Sequence, residues 1–466
     1  MKNRIEISLL FIFLSTLFTA RGQYTTFDAV VSEPGTLKVA IGDRWNAIDS
    51  LVVNGPINAE DFNIIYQSIR YGRVDVLNLE KAQLENNELP NVAFCKDDSY
   101  RLYIRRIMLP DNIVKFDRAA LYITEIESIN IPSSLQEIGE LAFGYSRIGT
   151  PQIILPEGIT QIPHSCFFQT QGVEEVVLPS SVKTIDIYGF AQTSIREVNI
   201  PAALDSLGGW AFNYSPIEEI TIPATCTRIG MYAISCCKNL KEINLLSNVT
   251  TIPQGFAYLN PQLERVTLPQ TVVKLEDDAL GICESLTSIE LPHKLEWIGK
   301  RAFQLCALDS IFLPASLQCI DDDAFNGCTS IQKIYCPAQT PPTCKERVFV
   351  GIAQNIPVFI PVGTLDIYQN TAGWKHFTNF IEIDNFPGAV TDVRKDTTAI
   401  ESRVHWSNSY LVIEIEGAQN SPVEYNIYTL DGRLVEQGCT TQSYLTLPIT
   451  QGTYIVCVAN KIHKVL

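Results

Sequence analysis

Cationic character is in short supply in this 466-residue chain: 35 Lys and Arg stand against 51 Asp and Glu, a formal charge of -16. An acidic protein with scattered cations is a poor nucleic-acid or anionic-membrane binder, so neither is expected as a partner. Histidine is scarce as well. His164, His293, His376, His405 and His463 are the full set, and none recurs at a metal-ligand spacing with cysteine or another histidine. There is no His-Glu-x-x-His, no Cys-x-x-Cys and no phosphate-binding glycine loop. The expectation is a protein that is not an enzyme and holds no metal and no cofactor. The apolar run Leu9 to Phe18 is too short to span a bilayer, and no other stretch is long and apolar enough to cross one.

What the chain does have is a period. Leu286, Ile289, Leu291, Pro292, Leu295, Ile298, Ala302, Phe303 and Cys306 are followed by a second round beginning Leu308, Ile311, Leu313, Pro314. With proline as the ruler, the same position falls at Pro110, Pro132, Pro156, Pro179, Pro201, Pro223, Leu246, Pro269, Pro292, Pro314 and Pro337, in steps of 22 to 24 residues. A fixed period in that range predicts a solenoid, in which no coil folds alone.

The columns of the repeat state its physics. Three residues before each ruler position stands Ile or Val, with a further aliphatic residue one before it, an alternation that predicts a strand with one buried face. Proline then has no N–H with which to continue the ladder. Two more aliphatic columns and a turn pair follow, as in Ala142-Phe143, Ala211-Phe212, Ala302-Phe303 and Ala324-Phe325. The inverted Phe256-Ala257 predicts a local irregularity. Four residues after the small position run Thr124, Ser146, Thr170, Thr193, Ser215, Cys237, Asn260, Cys283, Cys306 and Cys328, short side chains suited to bonding the backbone of a tight turn or filling a small apolar volume. Eleven coils at about 4.8 Å each predict a stack roughly 50 Å long.

Thirteen cysteines would suggest disulfides if the chain is exported. Cys166, Cys226, Cys237, Cys283, Cys306, Cys328 and Cys336 nevertheless stand in repeat columns and read as buried small hydrophobes. Cys336 with Cys344, and Cys439 with Cys457, are the pairs placed to bridge.

Five segments are expected. Residues 1–22 read as a signal peptide: Lys2 and Arg4, the apolar run Leu9 to Phe18, and Ala20-Arg21-Gly22 as the cleavage site. Its loss removes three cations and one anion, leaving the chain more acidic and without a membrane-spanning segment. Residues 23–73 read as an N-terminal cap with alternating Leu37, Val39 and Ile41 and a helix opened by Asn58. Residues 74–383 are the solenoid with its C-terminal cap, Lys81 to Tyr100 being a polar loop and Tyr368, Trp374, Phe377 and Phe380 closing the far end. Residues 384–399 are a linker. Residues 400–466 carry longer alternating strands, with a hairpin turn at Asp431-Gly432, and predict a small antiparallel β-sandwich.

The repeat Leu-x-x-Ile-x-Leu-Pro-x-x-Leu-x-x-Ile-x-x-x-Ala-Phe-x-x-Cys resembles the BspA-type leucine-rich repeats of bacterial surface proteins. That resemblance implies a right-handed stack of coils and a role in adhesion or protein binding, with no fixed ligand-contact motif. The tail, especially Ile427 to Val435 and Gly452 to Val456, resembles the C-terminal sorting domain of type IX secretion cargo. It implies export to the surface of a Gram-negative cell, then anchoring or release with the tail removed; a retained β-domain is the alternative.

Two outward features remain as candidate binding sites. One is the acidic column Glu175, Glu197, Glu219 and Glu242, flanked by Glu174 and Glu218. Like charges facing each other on adjacent strands cost up to about 1 kcal/mol each, so the column suits a basic protein partner or a cation. A solvated strand face interleaved with Arg196 and Lys241 is the plain alternative. The other is Tyr188, Trp210 and Tyr232, one per coil, suited to a glycan or a protein loop if exposed and otherwise rings packed over the turn. Extracellular protein, from host matrix or a neighbouring cell, is the expected partner and a glycan the alternative. His164-Ser165-Cys166 and Asp321-Asp322-Asp323 are read as packing and as a solvated turn, rather than as a nucleophile and a calcium loop.

Overall fold

The computed structural model describes residues 24–387, apart from residue 97, and parts of 401–465. The expected leader at 1–22, most of the linker and the Asp431-Gly432 turn lie outside the described residues, as do the side chains of Cys439 and Cys457. The chain divides into two units, residues 1–386 and 387–466.

The first unit is a β-solenoid of about 16 turns with few helices. Its strands pair in parallel with the register the period demands: Glu175–Val177 lies against Gln152–Ile154, with Ile153 opposite Val176. Ile153 and Val176 are buried, while the residues on either side of each face outward. A second parallel column joins Gln161–Ile162, Thr184–Ile185, Ser206–Leu207 and Arg228–Ile229.

The coil closes through a turn that uses left-handed backbone twice, four residues apart, as at Tyr188 and Gln192, Trp210 and Tyr214, and Tyr232 and Cys236. Each such non-glycine residue costs on the order of 1 kcal/mol. The stack supplies an offset, because the same residues donate to the next coil: Tyr188 N to Gly209 O at 3.1 Å and Gln192 N to Asn213 O at 2.7 Å. Inside the turn the rings of Phe143, Phe167, Phe190 and Phe212 form a continuous pile, with centroids 4.7 to 5.3 Å apart.

The short polar column behaves as its chemistry requires. Thr170 Oγ1 donates to Phe143 O of the preceding coil at 2.7 Å, and Asn260 Nδ2 to Ile234 O at 2.8 Å. The thiols of Cys237, Cys283, Cys306 and Cys328 do the same at 2.9 to 3.3 Å. All eleven cysteines among those fully described are free, including Cys336 and Cys344. The bridge between those two is therefore corrected: Tyr368 Oη points at Cys336 Sγ from 3.1 Å, and Cys344 Sγ turns to Pro342 O.

Other expectations change as well. Residues 81–100 are no loop: Val76–Leu84 is one strand, Glu88–Leu89 pairs with Lys115–Phe116, and Ala93-Phe94 is a buried turn pair. This coil has Glu80 in place of the ruler proline, so its strand continues to Leu84 and its second half was hidden from the period. Leu37–Ile41 is a one-turn helix with Val39 exposed, instead of alternating strand. The helix Ala59–Arg70 forms as expected, with Asn58 accepting from Glu60 N and Asp61 N and Asp61 accepting from Asn58 N. The swapped Phe256-Ala257 leaves the backbone regular, since Ile234 N still donates to Phe256 O and Ala257 N to Ala279 O; Gly255 takes the left-handed position.

The second column is interrupted between Ile138 and Gln161 and again between Ile229 and Thr251. At both places the residue that donates in other coils, such as Gly208 N to Ile185 O, is a proline, Pro163 or Pro253. A groove of about 640 Å³ lined by Gly208, Gly230, Thr250 and Pro253 marks the second break. At the C-terminal end Tyr368 and Trp374 are fully buried, and Trp374 Nε1 donates to Pro342 O at 2.9 Å.

The second unit holds two antiparallel sheets. Tyr410–Glu416 pairs with Glu401–Ser407 and Tyr444–Leu447; Val423–Thr429 pairs with Leu434–Thr440 and Tyr454–Val458, which pairs with Lys461–Val465. Leu411, Ile413, Ile427, Val456 and Val458 form its core.

Candidate binding face

The outward face of the parallel sheet carries the acidic column. Glu175 lies directly opposite Glu197, and Glu219 opposite Glu242, each pair on adjacent strands of a parallel ladder. The ladder is interrupted between Glu197–Val198 and Glu219–Ile222, so the column is two facing pairs instead of one unbroken run.

The four carboxylates are not equivalent. Glu175 accepts from Gln152 Nε2 at 2.5 Å. Glu242 accepts from Arg265 Nε at 2.9 Å and Asn244 Nδ2 at 2.9 Å, and the Arg265 guanidinium, with Asn244 helping, holds its carboxyl below the usual range. The side-chain carboxylates of Glu197 and Glu219 are exposed and make no ion pair or hydrogen bond among the described residues. Glu218 pairs with Lys241 at 3.1 Å. Of the four column residues only Glu242 is paired with a cation; Glu175 has a neutral donor, and Glu197 and Glu219 have no side-chain partner among the described residues. Asn199, beside them, is committed to backbone: it accepts from Leu178 N at 2.6 Å and donates to Leu178 O at 2.9 Å.

Tyr188, Trp210 and Tyr232 occupy the turn edge, each half-buried and each at a left-handed position with φ of 57°, 54° and 55°. Their rings stack, Tyr188 on Trp210 at 5.4 Å and Trp210 on Tyr232 at 5.7 Å. The free side of Tyr188 is met by His164 and Phe168, and that of Tyr232 by Gly255 and Tyr258. The ring faces are therefore taken by neighbours, and ring edges reach solvent. In the coils beyond Gly255, the same turn position carries an ion pair: Arg301 Nε and Nη2 bind Asp278 at 2.7 and 2.6 Å.

A third feature went unread in the sequence. Phe312, Tyr335 and Phe359 stand opposite one another on three adjacent strands of the sheet face. They are half-buried and stacked at 6.0 and 4.6 Å. Their signal was present, because they occupy the outward position that holds Asn199, Thr221, Asn244 and Thr267 in earlier coils, and for Phe312 and Tyr335 that lies two residues before the ruler proline.

The remaining chemistry is engaged in the fold. Cys166 is fully buried and its thiol is pushed well above its ordinary value by that burial. Asp323 is tied to Arg347 at 3.1 Å and to Asn326 at 2.6 Å. Among the described residues, no group of His, Cys, Asp and Glu is placed to hold a metal ion, and no helix is long and apolar enough to cross a membrane.

A β-solenoid with these columns is a leucine-rich-repeat protein. The model of the BspA type leucine rich repeat region matches residues 79–173, 145–258 and 254–371, and the chain belongs to that family. Among solved structures, the chain is similar to a leucine-rich repeat protein from Bacteroides ovatus, at 22% identity over 60% of this chain and 84% of that one, with a TM-score of 0.44. It is similar to another from Eubacterium ventriosum, at 19% identity over 59% and 88%, with a TM-score of 0.37. A leucine rich cell surface protein from Faecalibacterium prausnitzii matches at 20% identity over 64% and 83%, with a TM-score of 0.31. No curated protein matches the chain.

Proposed function

We propose that this chain is an exported, surface-displayed binding protein whose solenoid engages another protein through the outward face of its parallel sheet. The observation that carries this reading is the exposed, unpaired Glu197 and Glu219, each facing a second glutamate across the ladder. Opposed like charges cost stability on adjacent strands, and a basic partner would relieve that cost. The glycan reading draws less support, because a sugar stacks on an open aromatic face and the faces of Tyr188, Trp210 and Tyr232 are covered.

Export is proposed from residues 1–22 as a leader, and outer-surface delivery in a Gram-negative cell from the resemblance of residues 400–466 to a sorting domain. The plan that goes with it is a cap at 23–73, the solenoid at 74–383 and a linker at 384–399.

The test is binding of the full chain to a panel of extracellular-matrix proteins and to a glycan array at low and high salt. A protein ligand whose affinity falls with salt, and falls again with Glu197→Lys/Glu219→Lys, supports the reading; a salt-indifferent glycan ligand lost with Trp210→Ala replaces it. A mature protein beginning at Gln23 on the outside of the cell supports the route, and an uncleaved intracellular chain refutes it.

A further inference from the structure

The ring row on the sheet face extends the proposed function and rests on it. We propose that Phe312, Tyr335 and Phe359 form the apolar anchor site for a protein segment whose basic residues lie against Glu197 and Glu219.

The core does not need these rings. Ile311, Ile334 and Val358, their inward neighbours, are buried to 2%, 0% and 0% exposure and complete the interior of their coils. The rings stand on the other side of the strands, where the coils from Asn199 to Glu290 present Asn, Thr and Glu, although Ile154 and Val177 hold that position further back. Ile381, opposite Phe359 on the last strand, is 37% exposed and prolongs the apolar row. At the other end Phe386 meets Phe312 edge-on at 6.4 Å. Stacking fixes the rings in advance, so that little ordering is lost when an apolar side chain packs against them.

Charge on the same face selects the occupant. Lys333 sits 5.8 Å from the Tyr335 ring and makes that end unwelcoming to cations. Arg265 neutralises Glu242. The exposed Glu290, bonded only to the Gln270 amide, lies one coil from Phe312, and the carboxylates that face a second glutamate with no cation of their own, Glu219 and Glu197, lie four and five coils away, or about 19 and 24 Å at about 4.8 Å per coil. An extended chain at about 3.3 Å per residue crosses that distance in six or seven residues. The face thus suits a bipartite polypeptide with an apolar block and a basic block at that spacing. A glycan is poorly matched, since stacked rings offer no open face.

The probes are fluorescein-labelled peptides carrying Leu-Phe-Leu and Lys-Arg-Lys separated by six residues, by one residue, or with the apolar block replaced by serine, titrated against the full chain. The six-residue spacing is expected to bind tightest, with loss of the apolar block or of the spacing weakening it about ten- to hundredfold. Phe312→Ser/Phe359→Ser is expected to cost the same factor, and Phe312→Leu/Phe359→Leu to keep most of the affinity, which separates lost contact from lost folding. Tyr335→Trp is expected to shift its emission to the blue when peptide binds. Unchanged affinity in the serine variant with a native unfolding midpoint, or unchanged emission, overturns the anchor site. If Glu197→Lys/Glu219→Lys still weakens binding in that case, the acidic-face reading stands alone; if it too is without effect, both fall. Binding of a sugar that depends on Phe312 overturns the choice of partner.

Discussion

The ring of Tyr232 lies over Gly255, where an added Cβ would stand 2.1 Å from Tyr232 Cε1. Gly255 also takes a left-handed φ of 62°. Its missing side chain thus lets the ring stack end and the turn continue at once. Gly255→Ala is expected to destabilise the solenoid by about 2 kcal/mol through clash and backbone strain, read as a lower urea midpoint. Adding Tyr232→Ala removes the clash and is expected to recover part of that loss. Equal stability of Gly255→Ala and the parent would show that the ring yields freely.

One turn position further, Asp278 and Arg301 replace stacked rings with a bidentate ion pair. The Asp278 side chain is 6% exposed. Arg301→Met leaves a buried carboxylate without its partner and is expected to cost about 3 kcal/mol. The double variant with Asp278→Asn is expected to be closer to the parent than Arg301→Met. Additive losses in denaturant unfolding would contradict the coupling.

Glu242 gives a pH dependence with a defined sign. Its folded carboxyl is held below the unfolded value by Arg265, so the stabilisation is present above the unfolded value and is lost as pH falls through the folded one. Arg265 is exposed, so solvent screening keeps the effect small. Arg265→Met is expected to be slightly less stable than the parent at neutral pH and indistinguishable from it in acid below both values. A difference that grows in acid would reverse the assignment.

The thiols give the opposite sign. Burial pushes Cys328 up to about 12 and Cys336 up to about 11, with Tyr368 opposing it at Cys336. Their neutral forms stabilise the fold below the unfolded thiol value, and that contribution is lost as pH rises through the folded values. A thiol reagent near pH 8 is expected to leave the buried cysteines untouched in the folded protein and to label them after denaturation. Rapid labelling of Cys328 in the native state would show that the coil opens there.

Much of this was legible because a solenoid repeats its physics. Ile153 and Val176 announce a buried strand face, Pro179 its end, and Thr170 and Cys237 a donor inside the turn, each in a column that alternation and chemistry explain. Residues 81–100 were hidden because the strand that begins at Val76 runs past the ruler position without a proline. The ladder breaks depended on Pro163 and Pro253 at a position that is otherwise a donor, which only the register reveals. In the candidate face, the glutamate column could be counted, but the neutralisation of Glu242 by Arg265 belongs to the adjacent coil. Phe312 and Tyr335 were visible as aromatic residues in an outward column; their stacking with Phe359 required the strand at 357–361 to join the ladder.

The most direct measurement is the affinity of the full chain for its captured protein partner, with and without Glu197→Lys/Glu219→Lys, from low salt to about 1 M, where screening acts within about 3 Å. The expected result is tight binding that weakens steeply with salt in the parent and is weak at every salt concentration in the charge-reversed protein. Equal affinity and equal salt dependence in the two proteins would contradict a basic partner on the sheet face.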